Sequence, residues 1–133
     1  MISSPPPTFY LTHTPDGAAV LHVRGEVDLA SADRFRERLL DEFARHPRLV
    51  VDLSEAMLFD GAALRALLAL HREATGQHRQ APTLRGLRPL LAKAFKATGM
   101  NELFPIEPSP PFPQWRRRRE AARAAAQAVP SAA

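Results

Sequence analysis

The apolar positions of this chain follow two rhythms. Ala18-Ala19-Val20-Leu21-His22-Val23-Arg24 and Leu49-Val50-Val51-Asp52-Leu53 are short apolar runs with several β-branched residues, the pattern of half-buried or buried strands. Between them, Ala32, Phe35, Leu39 and Phe43 recur at spacings of 3, 4 and 4, while Arg34, Arg36, Glu37, Arg38, Asp41 and Glu42 fall mostly off that stripe. This spacing predicts an amphipathic helix laid on one face of a sheet. Ser31 is its expected N-cap, and His46-Pro47 closes it. Helical spacing returns over residues 62–75, where Leu64, Leu67, Leu68 and His71 are expected on one side and Gly76 as the stop. A third helix is predicted over residues 87–98, carrying Leu90, Leu91, Ala94 and Phe95 and ending at Gly99.

The remaining elements are shorter. Residues 8–12 alternate weakly and predict a first strand. Pro15-Asp16-Gly17 is a turn: Pro sets φ, Asp bonds the local backbone, and Gly accepts positive φ. Residues 8–12 and 18–24 then pair as a hairpin, with Gly25 expected to end the second strand. Residues 81–85 read as a strand that Pro82 restricts to a sheet edge or a strand start. Phe104-Pro105-Ile106 is a last extended piece. The order β-β-α-β-α-β-α-β predicts an α/β fold: a mixed, largely parallel sheet of about four to five strands with about three to four helices and right-handed crossovers.

Composition narrows this further. A length of 133 residues suits one domain. The expected division is a lead-in over residues 1–7, a domain over residues 8–107, and a tail over residues 108–133 that is Pro-rich and then Ala/Arg-rich. The chain contains no Cys, which excludes disulfides, thiol catalysis and Cys-based metal sites. No apolar run approaches the roughly 20 residues a membrane helix needs, and Met-Ile-Ser-Ser-Pro-Pro-Pro has neither the basic nor the apolar part of a signal peptide. A cytoplasmic location is the expectation. The net charge of +4 is carried by the five Arg and one Glu of residues 115–133, because residues 1–114 hold 13 basic and 13 acidic side chains. A neutral globule argues against nucleic-acid binding by the core.

Candidate chemistry is sparse. Asp28, Asp52 and Asp60 lie at expected strand ends and could gather at one sheet edge, where paired carboxylates do acid/base work or hold a hard cation. Capping of local backbone is the preferred reading of each. His13, His22, His46, His71 and His78 show no metal-ligand spacing, and His22 and His71 are expected to pack partly buried. There is no Gly-rich phosphate loop and no Gly-x-Ser-x-Gly nucleophile motif. No enzymatic activity, cofactor or metal is therefore expected. The most informative stretch is Met57-Leu58-Phe59-Asp60-Gly61-Ala62-Ala63-Leu64. An apolar run ends in Asp60, three very small residues follow, and a helix begins. Unpaired N–H groups at a helix start carry partial positive charge. Small residues either leave those groups open to a partner or simply permit tight packing.

Three stretches together resemble the STAS domain of bacterial anti-sigma-factor antagonists, across residues 8–107. Gly25-Glu26-Val27-Asp28 through Ser31 resembles that family's approach to its first helix. Leu49-Val50-Val51-Asp52-Leu53-Ser54 with Leu58-Phe59-Asp60 resembles its central strand and switch loop. Leu90-Leu91, Thr98-Gly99-Met100 and Leu103-Phe104-Pro105-Ile106 resemble its last helix and terminal strand. The resemblance implies a non-enzymatic, cytoplasmic regulator that binds an anti-sigma factor of the serine-kinase ATPase type. It implies a partner surface around Glu26, Asp28, Ser31, Asp60, Gly61, Ala62, Ala63 and Leu64. In that family the switch loop usually reads Asp-Ser-Ser-Gly or Asp-Ser-Thr-Gly, and the partner kinase phosphorylates the first hydroxyl. Here Gly61 takes that position, and no Ser, Thr or Tyr occurs from Glu55 to Ala74.

The departure allows three outcomes: a constitutive antagonist, a scaffold that binds without switching, or loss of the partner. The first two are the working expectation. The alternative is a STAS subunit that serves a transporter or signalling complex in trans. Trp115-Arg116-Arg117-Arg118-Arg119 could meet an anionic membrane or nucleic acid. A disordered or loosely helical extension is the preferred reading of that composition.

Overall fold

The computed structural model describes residues 5–107. Strands β1 (Thr8–His13) and β2 (Ala19–Val27) form the expected antiparallel hairpin. Its turn closes through Thr14, whose Oγ1 accepts from the Ala18 N–H at 3.0 Å and whose hydroxyl donates to Asp16. Strand β3 (Leu49–Phe59) runs parallel to β2, and β4 (Thr83–Arg85) runs parallel to β3, giving the order β1-β2-β3-β4. Helices α1 (Ala32–Arg45), α2 (Gly61–Gly76) and α3 (Pro89–Thr98) connect or follow these strands, and a 3₁₀ turn spans Met100–Glu102. Ile106 bridges Leu84 in parallel and extends the sheet by one stub. The expected α/β class holds, with four strands and three α-helices among the described residues.

The core follows the two rhythms. Helix α1 buries Ala32, Phe35, Leu39 and Phe43, as its stripe predicts. Phe35 is fully buried between Phe9 and Phe59, with ring centroids 5.7 and 5.5 Å away. Leu21, Val23, Val51, Leu53 and Leu84 meet the helices from the sheet. Each such side chain contributes roughly 1.5–3 kcal/mol by leaving water. Pro82 is followed directly by the short β4, in keeping with a strand start.

Several local expectations are corrected. Strand β2 does not end at Gly25; the glycine takes φ of 98° inside the strand, and pairing continues to Val27. Strand β3 continues past Leu53 to Phe59. Helix α2 buries Ala62, Ala63, Ala66, Leu67, Leu70 and Ala74, so its inner face is rotated from the Leu64, Leu67, Leu68 and His71 side. His71 is half-buried, with its ring 5.9 Å from that of Phe104. Gly76 remains helical, and the positive φ falls on His78 at 52°. In α3, Leu90 is 82% exposed and Phe95 is the buried anchor. Gly99 does stop α3, with φ of 77°.

The β2–β3 ladder explains two of these corrections. Between the pairs His22↔Asp52 and Glu26↔Leu58, β3 advances six residues while β2 advances four, through two register shifts. Each extra residue is a bulge that inverts the side-chain alternation. Leu49, Val51 and Leu53 face the core, then Ala56 does so, and then Phe59.

The opposite face of the sheet carries polar pairs. The Arg85 Nε donates to Asp52 Oδ2 at 2.7 Å, and Ser54 donates from N and Oγ to Asp52 Oδ1 at 2.9 and 2.6 Å. Burial would raise the Asp52 carboxyl, but the hydrogen bonds from Ser54 and Arg85 hold it below its ordinary value. Nearby, the Tyr10 hydroxyl donates to Glu55, which also meets Arg24 Nε at 3.0 Å. Burial and that bond to Glu55 push the Tyr10 phenol up to about 12.

Candidate partner-binding edge

The carboxyl ends of the parallel strands β2, β3 and β4 meet the start of each following helix along one edge of the molecule. Asp60 stands where β3 turns into α2. Its N–H reaches the Val27 carbonyl at 3.4 Å, tying the junction to the end of β2. Its side chain is the N-cap of α2, accepting from Ala62 N at 3.0 Å and Ala63 N at 3.2 Å. The backbone capping expected of Asp60 is observed: two of the N–H groups at this helix start are held by its own carboxylate. The carboxylate also sets a negative charge against the positive end of the helix dipole.

Asp28 and Ser31 build the second wall. The Asp28 N–H donates to Ser31 Oγ at 3.1 Å, and Ser31 N and Oγ lie 3.2 and 3.1 Å from Asp28 Oδ1. Ser31 stands at the N-cap position of α1, but its side chain caps no helical N–H and instead closes this turn. Asp52 lies elsewhere, on the open face with Arg85, so the three aspartates do not gather into one site. Among the described residues, no group of three or more His, Asp or Glu could hold a metal ion.

Exposure sorts the candidate residues. Ala63 is fully buried, Ala62 and Ser31 nearly so. Gly61 is exposed, and Glu26, Asp28, Asp60 and Leu64 are half-buried. An added Cβ at Gly61 would meet nothing nearer than Arg65 Nη1 at 3.7 Å. The position is therefore open to a side chain even though the chain supplies none. The accessible set is Glu26, Asp28, Asp60, Gly61 and Leu64.

The structure adds three residues that pattern reasoning missed. Leu29, Met57 and Leu90 are 77%, 64% and 82% exposed and lie after β2, near the end of β3 and at the start of α3. Arg88 lies beside Met57, with Nη1 4.0 Å from the sulfur. Exposed apolar side chains mark an interaction surface where they form one contiguous patch, whereas singly exposed ones are ordinary. The signal in the sequence was Leu29 itself, an apolar residue between Asp28 and Ala30 in a loop.

Taken together, the sheet order and the capped α2 define a small, mostly parallel α/β domain with its helix starts along one edge. The chain belongs to the STAS domain family: the family described as "Mlab, STAS domain" matches residues 11–106. Solved structures share the fold. An anti-sigma factor antagonist from Mycobacterium paratuberculosis is 25% identical, with a TM-score of 0.65, over 81% of this chain and 92% of that one. A Thermotoga maritima protein assigned as an anti-sigma factor antagonist is 14% identical, with a TM-score of 0.66, over 86% and 94%. The Bacillus cell fate determinant SpoIIAA in its phosphorylated form is 15% identical, with a TM-score of 0.57, over 89% and 99%. The last two speak for the fold. No curated protein matches the chain. No described helix is long and apolar enough to cross a membrane.

Proposed function

We propose that this protein is a non-enzymatic, protein-binding regulator of the anti-sigma-factor antagonist kind that works without a phosphoswitch. Its partner is an anti-sigma factor of the serine-kinase ATPase type, bound at the edge formed by Glu26, Asp28, Asp60, Gly61 and Leu64. The observation that carries this reading is the α2 start. Asp60 keeps its cap, the next position is exposed, and that position is Gly61. With no hydroxyl from Glu55 to Ala74, a kinase finds nothing to modify there. A phosphate would add about −1.5 to −2 charges at this point, enough to part a fitted interface. Without it, binding persists, as a constitutive antagonist or a scaffold.

A second reading is a STAS subunit held permanently in a larger complex, in trans to a transporter or signalling assembly. The exposure of Leu29, Met57 and Leu90 favours it, because permanent interfaces are more apolar than reversible ones.

The test is affinity capture from native lysate with wild type, Gly61→Ser and Asp60→Lys, each with and without ATP, with intact mass read on every bait. A serine side chain fits at position 61 without strain, since the nearest neighbour is the movable Arg65 guanidinium. The expected result is capture of a kinase-like anti-sigma factor by wild type, loss of capture by Asp60→Lys, and ATP-dependent phosphate and release in Gly61→Ser alone. If neither wild type nor Gly61→Ser captures such a kinase, the antagonist reading fails. An ATP-insensitive membrane complex captured instead supports the second reading.

A further inference from the structure

We propose that the edge carrying the three helix starts is self-complementary and pairs with the same edge of a second copy of this chain, about a two-fold axis at the start of α2. The sheet order places the helices. Each crossover moves one strand further, through β2, β3, β4 and the Ile106 stub. Right-handed connections then lay α1, α2 and α3 side by side on one face, and all three feed one core through Phe35, Leu67 and Phe95. Their starts form a row at the carboxyl ends of the strands. The α2 start is in the middle, with those of α1 and α3 about 8–10 Å to either side.

The row changes sign from one end to the other. Beside the α1 start stand Glu26, Asp28 and Asp33, with no basic residue from Gly25 to Asp33. Glu26 and Asp28 meet no cationic side chain among the described residues, and Asp33 meets only Arg36, at 3.9 Å. The α3 start is the reverse. Its first turn holds no acidic residue and no side chain caps it. Arg88, Lys93 and Lys96 are the only charged residues from Gly86 to Asn101. The positive end of the α3 dipole adds to these cations. In the middle, Asp60 and Arg65 supply one charge of each sign. The Arg65 Nη1 lies 3.7 Å from where a Gly61 Cβ would be, so this guanidinium leans over the α2 start. It meets no carboxylate among the described residues.

A two-fold rotation about the α2 start sets the α1 end of one copy against the α3 end of the other, and every contact is made twice. Glu26 and Asp28 then face Arg88 and Lys93, and Asp60 faces Arg65. The apolar residues follow the same order. Leu29 is 77% exposed at the α1 end, Leu90 82% at the α3 end, and Met57 64% near the end of the central strand β3. Leu29 therefore meets Leu90 of the second copy, and Met57 lies near the axis. Gly61, exposed and without a side chain, lets the two α2 starts approach. A surface of one sign would match only half of this edge, whereas a second copy turned about matches all of it. The partner proposed above uses the same edge, so pairing and partner capture exclude each other.

Sedimentation equilibrium tests this on the full chain, because the Pro-rich and Ala/Arg-rich tail expected over residues 108–133 lies outside the described residues. The expected result is a reversible monomer–dimer equilibrium of the 14.7 kDa chain, weakened by added salt. Glu26→Lys and Lys93→Glu should each weaken it about tenfold. An equimolar mixture of the two should restore it, because the mixed pair regains opposite charges at both contacts. Leu90→Ser, at an exposed position, should weaken it as well and stands in if a charge variant does not fold. The proposal is overturned if the wild type stays monomeric at sub-millimolar concentration, or if neither the charge variants nor Leu90→Ser alter the equilibrium. A mixture that associates no better than either charge variant alone also overturns it. The assay needs only the pure chain, so a monomeric result leaves the capture of a kinase-like anti-sigma factor to be decided by its own experiment.

Discussion

Replacing Arg85 by Met probes the most buried charge on the sheet. The Asp52 and Arg85 side chains are 7% and 19% exposed and meet at 2.7 Å. Removing one member of a buried pair leaves the other charge uncompensated and costs about 3–5 kcal/mol. Asp52 keeps its two bonds from Ser54, so the loss falls at the lower end, about 3 kcal/mol near pH 7. For a domain of this size that lowers Tm on the order of 15 °C. The pH dependence adds a second signature. In the wild type, the Asp52 carboxyl sits below its ordinary value. Its stabilisation is therefore present above the unfolded value of about 3.9 and is lost as pH falls through the lower folded value. Without Arg85, burial dominates and the carboxyl moves up. The variant then relieves its penalty by taking a proton, and its deficit against wild type narrows as pH falls toward about 4. Urea unfolding followed by circular dichroism, at a series of pH values for both proteins, measures this. A deficit under about 1 kcal/mol near neutral pH, or one that does not narrow in acid, would refute the reasoning.

Other perturbations test neighbouring parts. Asp60→Ala removes the bonds to Ala62 and Ala63 N–H and should cost about 1 kcal/mol, while Asp60→Asn keeps the cap and costs a few tenths; chemical denaturation of both separates cap from charge. Gly86→Ala forces a Cβ to 2.7 Å from the Ser54 Cβ at φ of 74°, with an expected loss of about 2–4 kcal/mol in the same assay. Phe35→Ala empties a site flanked by Phe9 and Phe59 and should cost about 3–5 kcal/mol by thermal or urea melting. Gly61→Ser should leave stability within about 0.5 kcal/mol of wild type, so any change in capture reflects the new hydroxyl.

Legibility differed between elements for physical reasons. The α1 stripe was readable because Phe35, Leu39 and Phe43 dominate its buried face, although Glu42, expected off the stripe, is buried beside them. Helix α2 was misread because alanines bury as well as leucines where two helices approach closely, and Ala63, Ala66 and Ala74 carry its inner face. The second half of β3 was hidden because the bulges break its alternation, and because Ser54 and Glu55 look like a loop until Arg24 and Tyr10 are seen to satisfy Glu55. Those partners lie 31 to 45 residues away in sequence. At the candidate edge, Asp60 was legible as a cap, since a carboxylate before small residues and a helix leaves little choice. The inward turn of Ser31 toward Asp28 depends on chain direction after β2, which composition does not encode. Leu90 carried an apolar label but points to solvent, because α3 buries only the side that holds Phe95.

The two extra residues in β3 have a consequence for how this edge can change over time. The distance from the sheet to the α2 start is set by how many residues lie between Asp52 and Asp60, not only by which they are. Substitutions there alter the surface, whereas losing a single residue would straighten one bulge, turn Phe59 away from Phe35 and rotate Asp60 off the end of α2. Point mutation can therefore rewrite what the edge recognises while the edge stays in place. A one-residue deletion moves it, so length across this segment should drift more slowly than its letters.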